Sequence, residues 1–300
     1  MSKSLAIVLV TFNRVELLRE MLDSIQQQTI LPSKVIIINN ASSDGTFDYL
    51  NNLNDDMYHI IHNDINSGGA GGFHQGTKLA YDLGYDAIFL VDDDILLDSK
   101  CIESLLKYNF NAMIAVREDK KGNIMETAGY NYNLSNPFQI NPKSQTIAKK
   151  YHKRSEMPEY EEVKTISFEG FFIKREVIDK IGFPYEDYFI FFDDLDYGLR
   201  VLEIGEKIFA IRDAKIVRQF EYVQNMALGT WKSHYMYRNF FLIHYIYGKN
   251  VFVKLKPFIV YLGGVTLNFW KLNNIKTFTI ALNDSLKLYK KILPLRKIDK

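Results

Sequence analysis

Two groups of aspartates are the residues in this sequence whose spacing best suits chemistry. The aspartates at 92–94 follow the apolar segment 87–91, and those at 193 and 194 follow the aromatic segment 188–192. Both preceding segments have the composition of strands. Adjacent carboxylates repel one another, and a divalent cation bound through hard oxygen ligands would offset that repulsion. The sequence thus predicts a metal-assisted site, with an acidic turn and a capped helix start as the ordinary alternatives.

The composition is that of a folded protein with nearly balanced charge. The 300 residues include 37 basic and 36 acidic side chains, 47% apolar residues and 14% aromatic residues. Net charge therefore gives no reason to expect a nucleic-acid partner, and the apolar content argues against a disordered chain. The single cysteine, Cys101, excludes an internal disulfide. Because the N-terminus also lacks a signal-peptide pattern, we expect a cytoplasmic protein.

The first hundred residues predict strands that alternate with helices. Four apolar segments have strand composition, at residues 5–11, 34–40, 57–62 and 87–91. Such alternation favours right-handed crossovers and a parallel, doubly wound α/β sheet with flanking helices. In these sheets, ligands bind beyond the carboxyl ends of the strands. Four loops would meet there, at residues 11–14, 39–44, 63–73 and 92–94.

A glycine-rich segment, residues 66–73, precedes the strand that ends in the aspartate triplet. Four glycines within five residues would let backbone N–H groups approach a phosphate or a sugar closely. The segment is not a P-loop, since no Gly-Lys-Ser/Thr follows. It is not a dinucleotide fingerprint either, since it does not follow the first strand. We predict a loop that lies along a bound phosphate or sugar, with a merely flexible loop as the alternative.

The C-terminal part of the chain differs in composition from the rest. Residues 229–250 are rich in aromatics, and from residue 251 onward ten Lys or Arg residues stand against two Asp. Aromatic and basic helices of this kind suit the surface of an anionic membrane. The uncharged segment 257–270 is too short to span a bilayer. We therefore expect a helical appendage, residues 221–300, at the membrane surface; the alternative is an appendage packed on the main domain.

Four motifs resemble, in order and approximate spacing, the inverting family-2 glycosyltransferases of the GT-A fold. The motifs lie at residues 10–14, 38–46, 92–94 and 192–196. The resemblance covers roughly residues 5–220. It implies a GT-A domain of residues 1–220, with a Rossmann-like, mostly parallel sheet. The glycine-rich segment and the Asp-Asp-x-Asp-Tyr-Gly-Leu-Arg sequence look most like the galactofuranosyltransferase and rhamnosyltransferase branch, whose enzymes build bacterial surface polysaccharides.

The resemblance implies roles for individual residues. Asp94 would ligate Mn²⁺ or Mg²⁺, Asp92 would assist at the metal or the ribose, and Asp93 would face the donor sugar. Asp194 would be the general base that takes the acceptor proton, with Asp193 as the other catalytic carboxylate. The further donor-binding residues implied by the family match are Thr11, Asn13, Arg14, Asn40, Asp44, Gly69, Gly71, Gly72 and Phe73.

Two positions depart from the family pattern. Many relatives carry an acidic residue where this chain has Asn39 or Asn40, so uridine is less firmly implied as the nucleoside. Many also carry a metal-binding histidine about two dozen residues after the base, where this chain has Arg218. Either Arg218 supplies positive charge to the diphosphate, or His234 reaches the metal instead. A histidine on an aromatic helix also has the ordinary alternative of a structural role.

The implied function is metal-dependent, inverting transfer of a sugar from a nucleotide donor to a cell-surface glycan or a lipid-linked acceptor. UDP-galactofuranose is the expected donor, and dTDP-rhamnose is the alternative. A nucleotidyltransferase would share the sheet and the acidic site, but no basic glycine-rich loop follows the first strand to hold a triphosphate. A non-catalytic nucleotide-sugar-binding or scaffold subunit is the non-enzyme alternative. We expect the enzyme to be peripheral at the inner face of the cell membrane.

Overall fold

The computed structural model describes residues 4–139, 141–220, 230–267 and 272–296. The strands are β1 Leu5–Thr11, β2 Lys34–Asn39, β3 Tyr58–His62, β4 Ala87–Asp92, β5 Ile95–Leu97, β6 Ala112–Glu118, β7 Tyr160–Val163, β8 Phe171–Lys174 and β9 Ile208–Arg218. The α-helices are α1 Val15–Gln26, α2 Thr46–Asn51, α3 Gly68–Asp82, α4 Cys101–Leu106, α5 Ile147–Lys150, α6 Arg175–Ile181, α7 Asp193–Glu203, α8 Lys232–Tyr247, α9 Val251–Leu267 and α10 Leu272–Ile292.

All of these strands join one mixed sheet in the order β3-β2-β1-β4-β8-β6-β9-β5, with β7 paired on β9. The four strands predicted from the N-terminal sequence pair in parallel, with β1 between β2 and β4. In the other half, β8 runs antiparallel to both β4 and β6. The predicted GT-A-like fold class is confirmed, and the sheet is mixed because β8 enters it from the opposite direction.

Two hydrophobic cores lie on the two faces of this sheet. Along β1, Ala6, Val8 and Val10 face one core while Leu5, Ile7 and Leu9 face the other. This alternation follows from the period-2 geometry of a strand. The first core is closed by α3, α6 and α7, and the second by α1 and α4. Each Leu or Ile fully buried here contributes roughly 1.5–3 kcal/mol, so the cores hold the strand ends rigidly in place.

The glycine-rich segment begins α3, so the prediction of a loop was wrong. A Cβ on Gly72 would lie 2.6 Å from Val10 Cγ1, and one on Gly76 would lie 2.4 Å from Val8 Cγ1. Helix α3 therefore packs more closely on β1 than any side chain at these positions would allow. Gly68 has φ +75°, and a Cβ there would meet the carbonyl oxygen of Phe189 at 2.1 Å. Packing, more than ligand approach, accounts for these glycines.

The aromatic segment before the second aspartate group is not a strand, contrary to the prediction. It begins with a 3₁₀ turn, Glu186–Tyr188, and continues as irregular backbone. Phe189, Phe191 and Phe192 all have left-handed φ values, between 63° and 68°. Backbone of this kind is costly for bulky residues, so its surroundings must hold it in place.

The C-terminal helices pack directly on the GT-A domain. A hydrophobic cluster joins Leu195 and Leu199 of α7 to Leu242 of α8 and Leu288 of α10. The predicted domain boundary falls at residue 221, which lies outside the described residues. Within the described ranges, no helix is long and apolar enough to cross a membrane.

Candidate active site

The aspartate triplet lies at the end of the central strands. β4 ends at Asp92, and the next two aspartates form the turn into β5. Asp93 accepts hydrogen bonds from Thr11 Oγ1 at 2.7 Å and from Arg14 Nη1 at 2.9 Å. Asp94 Oδ2 also accepts from Arg14 Nη1, at 2.9 Å. Thr11 and Arg14, which the family match assigns to the donor, thus hold the aspartates themselves.

The charge on this triplet is only partly compensated. Burial raises the pKa of Asp93 to about 6, although Arg14 and Thr11 act in the opposite direction. Burial, followed by repulsion from Asp94, Glu169 and Asp93, raises the pKa of Asp92 well above its ordinary value. Asp94 Oδ1 is buried and has no hydrogen-bond partner among the described residues. An unsatisfied buried carboxylate oxygen beside other carboxylates is suited to bind a cation.

Glu169 is a residue of this site that the sequence reading missed. It lies just before β8 and forms ion pairs with Arg117 and Arg218. Burial alone would raise the pKa of Glu169, but the charges of Arg117 and then Arg218 lower it. Arg218, proposed from sequence as a source of charge for the diphosphate, is thus bound to this carboxylate. The only sequence signal was a glutamate placed immediately before a buried strand.

Asp193 and Asp194 form the first turn of α7, where the helix dipole favours negative charge. Burial, followed by repulsion from Asp194, raises the pKa of Asp193 to about 8. Burial also raises the pKa of Asp194 to about 6, while its hydrogen bond from the Leu195 N–H and the charge of Lys143 oppose the rise. A buried carboxylate with a pKa near neutrality has the property that a general base needs.

The charges of one buried ion pair, Glu169–Arg117, act on both aspartate groups. The Glu169 carboxylate acts on the pKa of both Asp94 and Asp194. The Arg117 guanidinium likewise interacts with both aspartates, and its side chain is 3% exposed. Residues 100 positions apart in the chain therefore share one buried electrostatic environment.

Helix α8 fixes the left-handed segment that leads into α7. The side-chain amide of Asn239 lies 2.8–3.0 Å from the carbonyl oxygens of Tyr188, Ile190 and Phe191. Arg238 Nη2 donates to the carbonyl of Tyr188 as well, at 2.8 Å. These two side chains therefore satisfy backbone carbonyls of a segment that belongs to no strand. Helix α8 therefore holds the segment that leads to Asp193 and Asp194, a role that sequence reasoning did not assign to the C-terminal helices.

Three other predicted donor-binding residues connect the loops around the cleft. Asn40 Nδ2 donates to the Gly68 carbonyl at 2.8 Å, which ties the end of β2 to the start of α3. Asp44 accepts from the N–H of Val15 at 3.1 Å and so caps α1. Asn13 Oδ1 accepts from the N–H of Ser43 at 2.7 Å. Each side chain has a structural partner, and its contact with a donor stays a prediction.

The predicted donor contacts on α3 divide into two kinds. A Cβ on Gly69 would meet nothing within 4 Å, so this position faces open space. A Cβ on Gly71 would meet only the side chain of Ser67, at 2.5 Å. Phe73 is 3% exposed and its ring packs on Phe168, with centroids 4.8 Å apart. Phe73 is therefore a core residue, and its side chain is not positioned to contact a donor.

The metal-binding prediction rests on two carboxylates. No group of three or more His, Cys, Asp or Glu side chains is arranged to hold a metal, as far as the described residues extend. His234 lies instead beside α10, with its Nε2 3.7 Å from Asp284 Oδ2. The unpartnered Asp94 Oδ1 and the partly exposed Asp92 offer oxygen ligands. Mg²⁺ commonly binds through one or two carboxylates together with substrate phosphates, so these residues fit such an ion.

Known proteins with similar sequences are glycosyltransferases. The O-antigen chain rhamnosyltransferase RfbN of Salmonella typhimurium is 26% identical over 227 residues, which cover 73% of this chain and 67% of RfbN. The uncharacterized glycosyltransferase YwdF of Bacillus subtilis is 34% identical over 104 residues. That match covers 34% of this chain and 37% of YwdF, so the chain spans well under half of this relative.

Solved structures share the fold at low sequence identity. GalNAc-T7, solved with UDP, GalNAc and Mn²⁺, superposes with a TM-score of 0.62 at 12% identity, covering 92% of this chain and 56% of that one. TarS residues 1–349 from S. aureus give a TM-score of 0.56 at 14% identity, covering 95% and 80%. The family model for Glycosyl transferase family 2 matches residues 6–182, more than half of the chain. The protein therefore belongs to glycosyl transferase family 2 and is a transferase.

Proposed function

We propose that this enzyme transfers a sugar from a nucleotide donor to a cell-surface glycan or a lipid-linked acceptor, with inversion at the anomeric carbon. The proposal is supported by the buried Glu169–Arg117 ion pair, whose charges act on both Asp94 and Asp194. Asp94 would then help to hold the metal beneath the leaving diphosphate, and Asp194 would take the proton of the incoming hydroxyl.

In this mechanism, Asp194 accepts the proton of the acceptor hydroxyl as its oxygen bonds to the anomeric carbon. The bond from that carbon to the diphosphate breaks on the opposite face, which inverts the configuration. A positioned general base of this kind contributes roughly 10²- to 10⁴-fold to the rate. Its pKa of about 6 leaves Asp194 mostly ionised at neutral pH and still basic enough to take a proton.

Asp92 and Asp94 would hold a divalent cation beneath the departing diphosphate. The bound Mn²⁺ or Mg²⁺ would offset the negative charge that builds on the leaving group. The Mn²⁺ in the GalNAc-T7 structure supports a metal in this fold. His234, beside Asp284, has no such support and is the weaker candidate ligand.

Two nucleotide sugars are candidates for the donor of this enzyme. The motifs favour UDP-galactofuranose, whereas the similarity to the rhamnosyltransferase RfbN supports dTDP-rhamnose.

A panel of nucleotide sugars with Mn²⁺ or Mg²⁺ would test both by protection against thermal unfolding, because binding to the native state stabilises it. We expect one donor to raise the melting temperature only with metal, and Asp94→Ala to abolish that rise. Asp82→Asn, at an exposed ion pair, is the matched control. Equal protection of Asp94→Ala would contradict its ligand role.

A scaffold subunit would bind the same donor without turnover. Product analysis after incubation with donor and an acceptor preparation therefore separates the enzyme from a binding subunit. Release of a free nucleoside diphosphate is expected for sugar transfer. Release of pyrophosphate would instead indicate a nucleotidyltransferase and would contradict the proposal.

We also propose that the protein binds peripherally to a membrane surface through α9. The exposed face of α9 carries apolar side chains, including Phe252 (66% exposed), Ile259 (64%) and Leu262 (60%). Exposed lysines, among them Lys254, flank this face. An apolar stripe with adjacent positive charge suits an anionic bilayer.

Sedimentation with vesicles tests this face. Vesicles rich in phosphatidylglycerol should retain the protein, and Ile259→Asp should reduce retention. Leu83→Asp, which changes an exposed leucine (51%) at the C-terminal end of α3, should not. Undiminished retention of Ile259→Asp would exclude α9 as the membrane contact.

A further inference from the structure

Three aromatic rings meet where helix α8 begins. The ring of Phe189 stacks on that of Tyr235, with centroids 4.7 Å apart and planes 20° from parallel. The ring of Trp231 lies nearly perpendicular to both, 6.1 Å from Phe189 at 72° and 5.9 Å from Tyr235 at 89°. We call these three residues the aromatic corner. Because aromatic rings prefer such edge-to-face and stacked pairs, the three side chains hold one another in a fixed shape.

Most of the Trp231 side chain is open to solvent. The residue is 61% exposed, although burial of an indole would be strongly favourable. Lys232 Nζ lies 5.8 Å from the indole centroid, so a cation–π contact covers part of the ring. Phe189 and Tyr235 are half-buried and support the indole from below. An exposed aromatic surface that several ordered rings share is typical of a binding site, whereas a single exposed side chain is not.

The aromatic corner is attached to the start of helix α3. The Phe189 carbonyl accepts a hydrogen bond from the N–H of Ala70 at 3.1 Å. A Cβ on Gly68 would lie 2.8 Å from a carbon of the Phe189 ring, so only glycine fits beside this ring. A Cβ on the next residue, Gly69, would meet nothing within 4 Å. The corner therefore adjoins open space at the segment that the family resemblance assigns to the donor.

The aromatic corner also belongs to the segment that leads to the second aspartate group. Phe189 precedes Asp194 by five residues, and an extended chain of five residues spans at most about 18 Å. Arg238 fixes this segment from α8, because its Nη2 donates to the Tyr188 carbonyl at 2.8 Å. The same guanidinium lies 4.8 Å from the centroid of the Tyr235 ring. The corner and the proposed base are thus held at a separation that a short oligosaccharide can bridge.

We propose that Trp231, Phe189 and Tyr235 form an acceptor subsite that binds a neutral pyranose ring of the glycan that receives the sugar. The inference rests on the proposed function, because the subsite would hold the glycan with its reacting hydroxyl at Asp194. One face of a pyranose consists mainly of C–H groups, whose partial positive charge complements the negative face of an aromatic ring. The hydroxyl groups at the edge of the sugar would remain in water or bind the Tyr235 hydroxyl.

Two other occupants of an exposed indole are outcomes of the test. A nucleobase also stacks on aromatic rings, but the residues predicted to hold the nucleotide follow β1 and β2, whereas the corner lies on the segment of the proposed base. A membrane interface also suits an exposed tryptophan. The position of Phe189 between α3 and the second aspartate group favours the acceptor glycan.

Glycan binding tests the subsite without requiring turnover. The full chain, with Mn²⁺ and UDP or dTDP present, is applied to an array of neutral oligosaccharides that end in galactose, glucose, rhamnose or N-acetylglucosamine. An oligosaccharide that binds is then titrated by saturation-transfer NMR. We expect transfer to its ring C–H protons and a dissociation constant that Trp231→Ala raises about tenfold or more, the size of effect that removal of one stacking ring produces.

Two variants serve as controls. Trp231→Phe should retain most of the binding, because a smaller ring still stacks on the sugar. Phe252→Ala, at a similarly exposed aromatic residue of α9 (66%), should bind the oligosaccharide as the wild type does. In vesicle sedimentation the expectation is reversed, since Phe252→Ala should reduce retention and Trp231→Ala should not. Unchanged melting temperatures establish that each variant is folded.

The possible results separate the subsite from the proposed function. Equal oligosaccharide binding by the wild type and Trp231→Ala would overturn the subsite, as would wild-type binding of no oligosaccharide on the array. If Trp231→Ala kept oligosaccharide binding but lost protection by the nucleotide, or lost vesicle retention, the corner would belong to the donor or to a membrane, and the inference would be wrong. Oligosaccharide binding that depends on Trp231, without sugar transfer from any donor in the panel, would reject the proposed function and retain the subsite.

Discussion

The side-chain amide of Asn239 lies 2.8 Å from the carbonyl oxygen of Phe191, two residues before Asp193. Asn239 is fully buried on α8, whereas Phe191 belongs to the left-handed segment that leads into α7. The same amide reaches the carbonyls of Tyr188 and Ile190. One side chain from the C-terminal helices therefore holds the segment that leads to Asp193 and Asp194, the proposed catalytic carboxylates.

Asn239→Ala should lower kcat more than it raises the donor KM. Loss of the amide leaves buried carbonyls unsatisfied, at a cost of about 1–3 kcal/mol in the free energy of unfolding. The loosened segment should also misplace Asp194 and reduce kcat by roughly tenfold or more. Steady-state kinetics and urea unfolding measure the two effects. Asn52→Ala, at an exposed amide on the end of α2, is the control. A stability loss with an unchanged kcat would limit Asn239 to a structural role.

Replacing one partner of the buried Glu169–Arg117 ion pair should lower the free energy of unfolding more than replacing both partners does. Glu169→Gln removes the carboxylate that pairs with Arg117 and Arg218, so that Arg117 keeps only Glu126, 3.8 Å away, and breaking a buried ion pair costs about 3–5 kcal/mol. Arg117→Met in the same chain should recover part of that loss. Urea unfolding of the two single variants and the double variant gives the coupling energy. Strict additivity of the single effects would mean that the pair does not act as a unit.

The metal-free protein should lose stability as the pH rises from 6.5 to 8. The pKa of Asp193 is about 8 in the folded state, well above its ordinary value, so folding stabilises its protonated form. The stabilisation that this proton gives is complete below the ordinary pKa of an aspartate and is lost as the pH rises to about 8, the folded-state pKa of Asp193. His62 and His234, whose pKa values are lowered by burial, have already lost their protons in this range.

Asp193→Asn should remove about 1.4 kcal/mol per pH unit from that slope, the value for one proton. Urea unfolding at half-unit steps of pH, with a chelator present, provides the measurement. Asp82→Asn should leave the slope as it is in the wild type. A slope that is the same in Asp193→Asn would contradict the raised pKa.

Two glycines on α3 make a matched pair of variants. Gly72→Ala should destabilise the fold by about 1–3 kcal/mol, because its Cβ would overlap Val10. Gly69→Ala meets open space and should change the free energy of unfolding by less than about 0.5 kcal/mol. Thermal unfolding compares the two directly. Equal stability of both variants would argue against close packing of α3 on β1.

The local parts of this fold could be predicted from sequence, and the long-range parts could not. Continuous apolar runs identified β1 and β4 because buried parallel strands need them. The helical start of α3 was missed, since its glycines satisfy a contact with Val10 that becomes visible only when helix and strand meet. Glu169 and Asn239 were missed for the same reason, because the partners that give them their roles, Arg117 and the Phe191 carbonyl, lie far away in sequence.

The candidate site shows the same contrast between features that local sequence predicts and contacts that only the tertiary structure shows. The two aspartate groups follow from local composition, and their meeting was expected from the family resemblance. Arg14 was assigned to the donor, and the structure shows that it also pairs with Asp93 and Asp94, which the sequence did not indicate. Phe73 followed the glycines in sequence and was counted with them, although its size and its contact with Phe168 place it in the core. Sequence therefore identified the charges, and tertiary structure identified their partners.

The most direct test of the account is the rate of sugar transfer by Asp194→Asn, measured with the donor identified in the panel. The amide keeps the size of the side chain but cannot accept the acceptor proton. We expect kcat to fall by about 10²- to 10⁴-fold while the donor still raises the melting temperature as it does in the wild type. Transfer at a rate near that of the wild type would show that Asp194 is not the base and would contradict the mechanism.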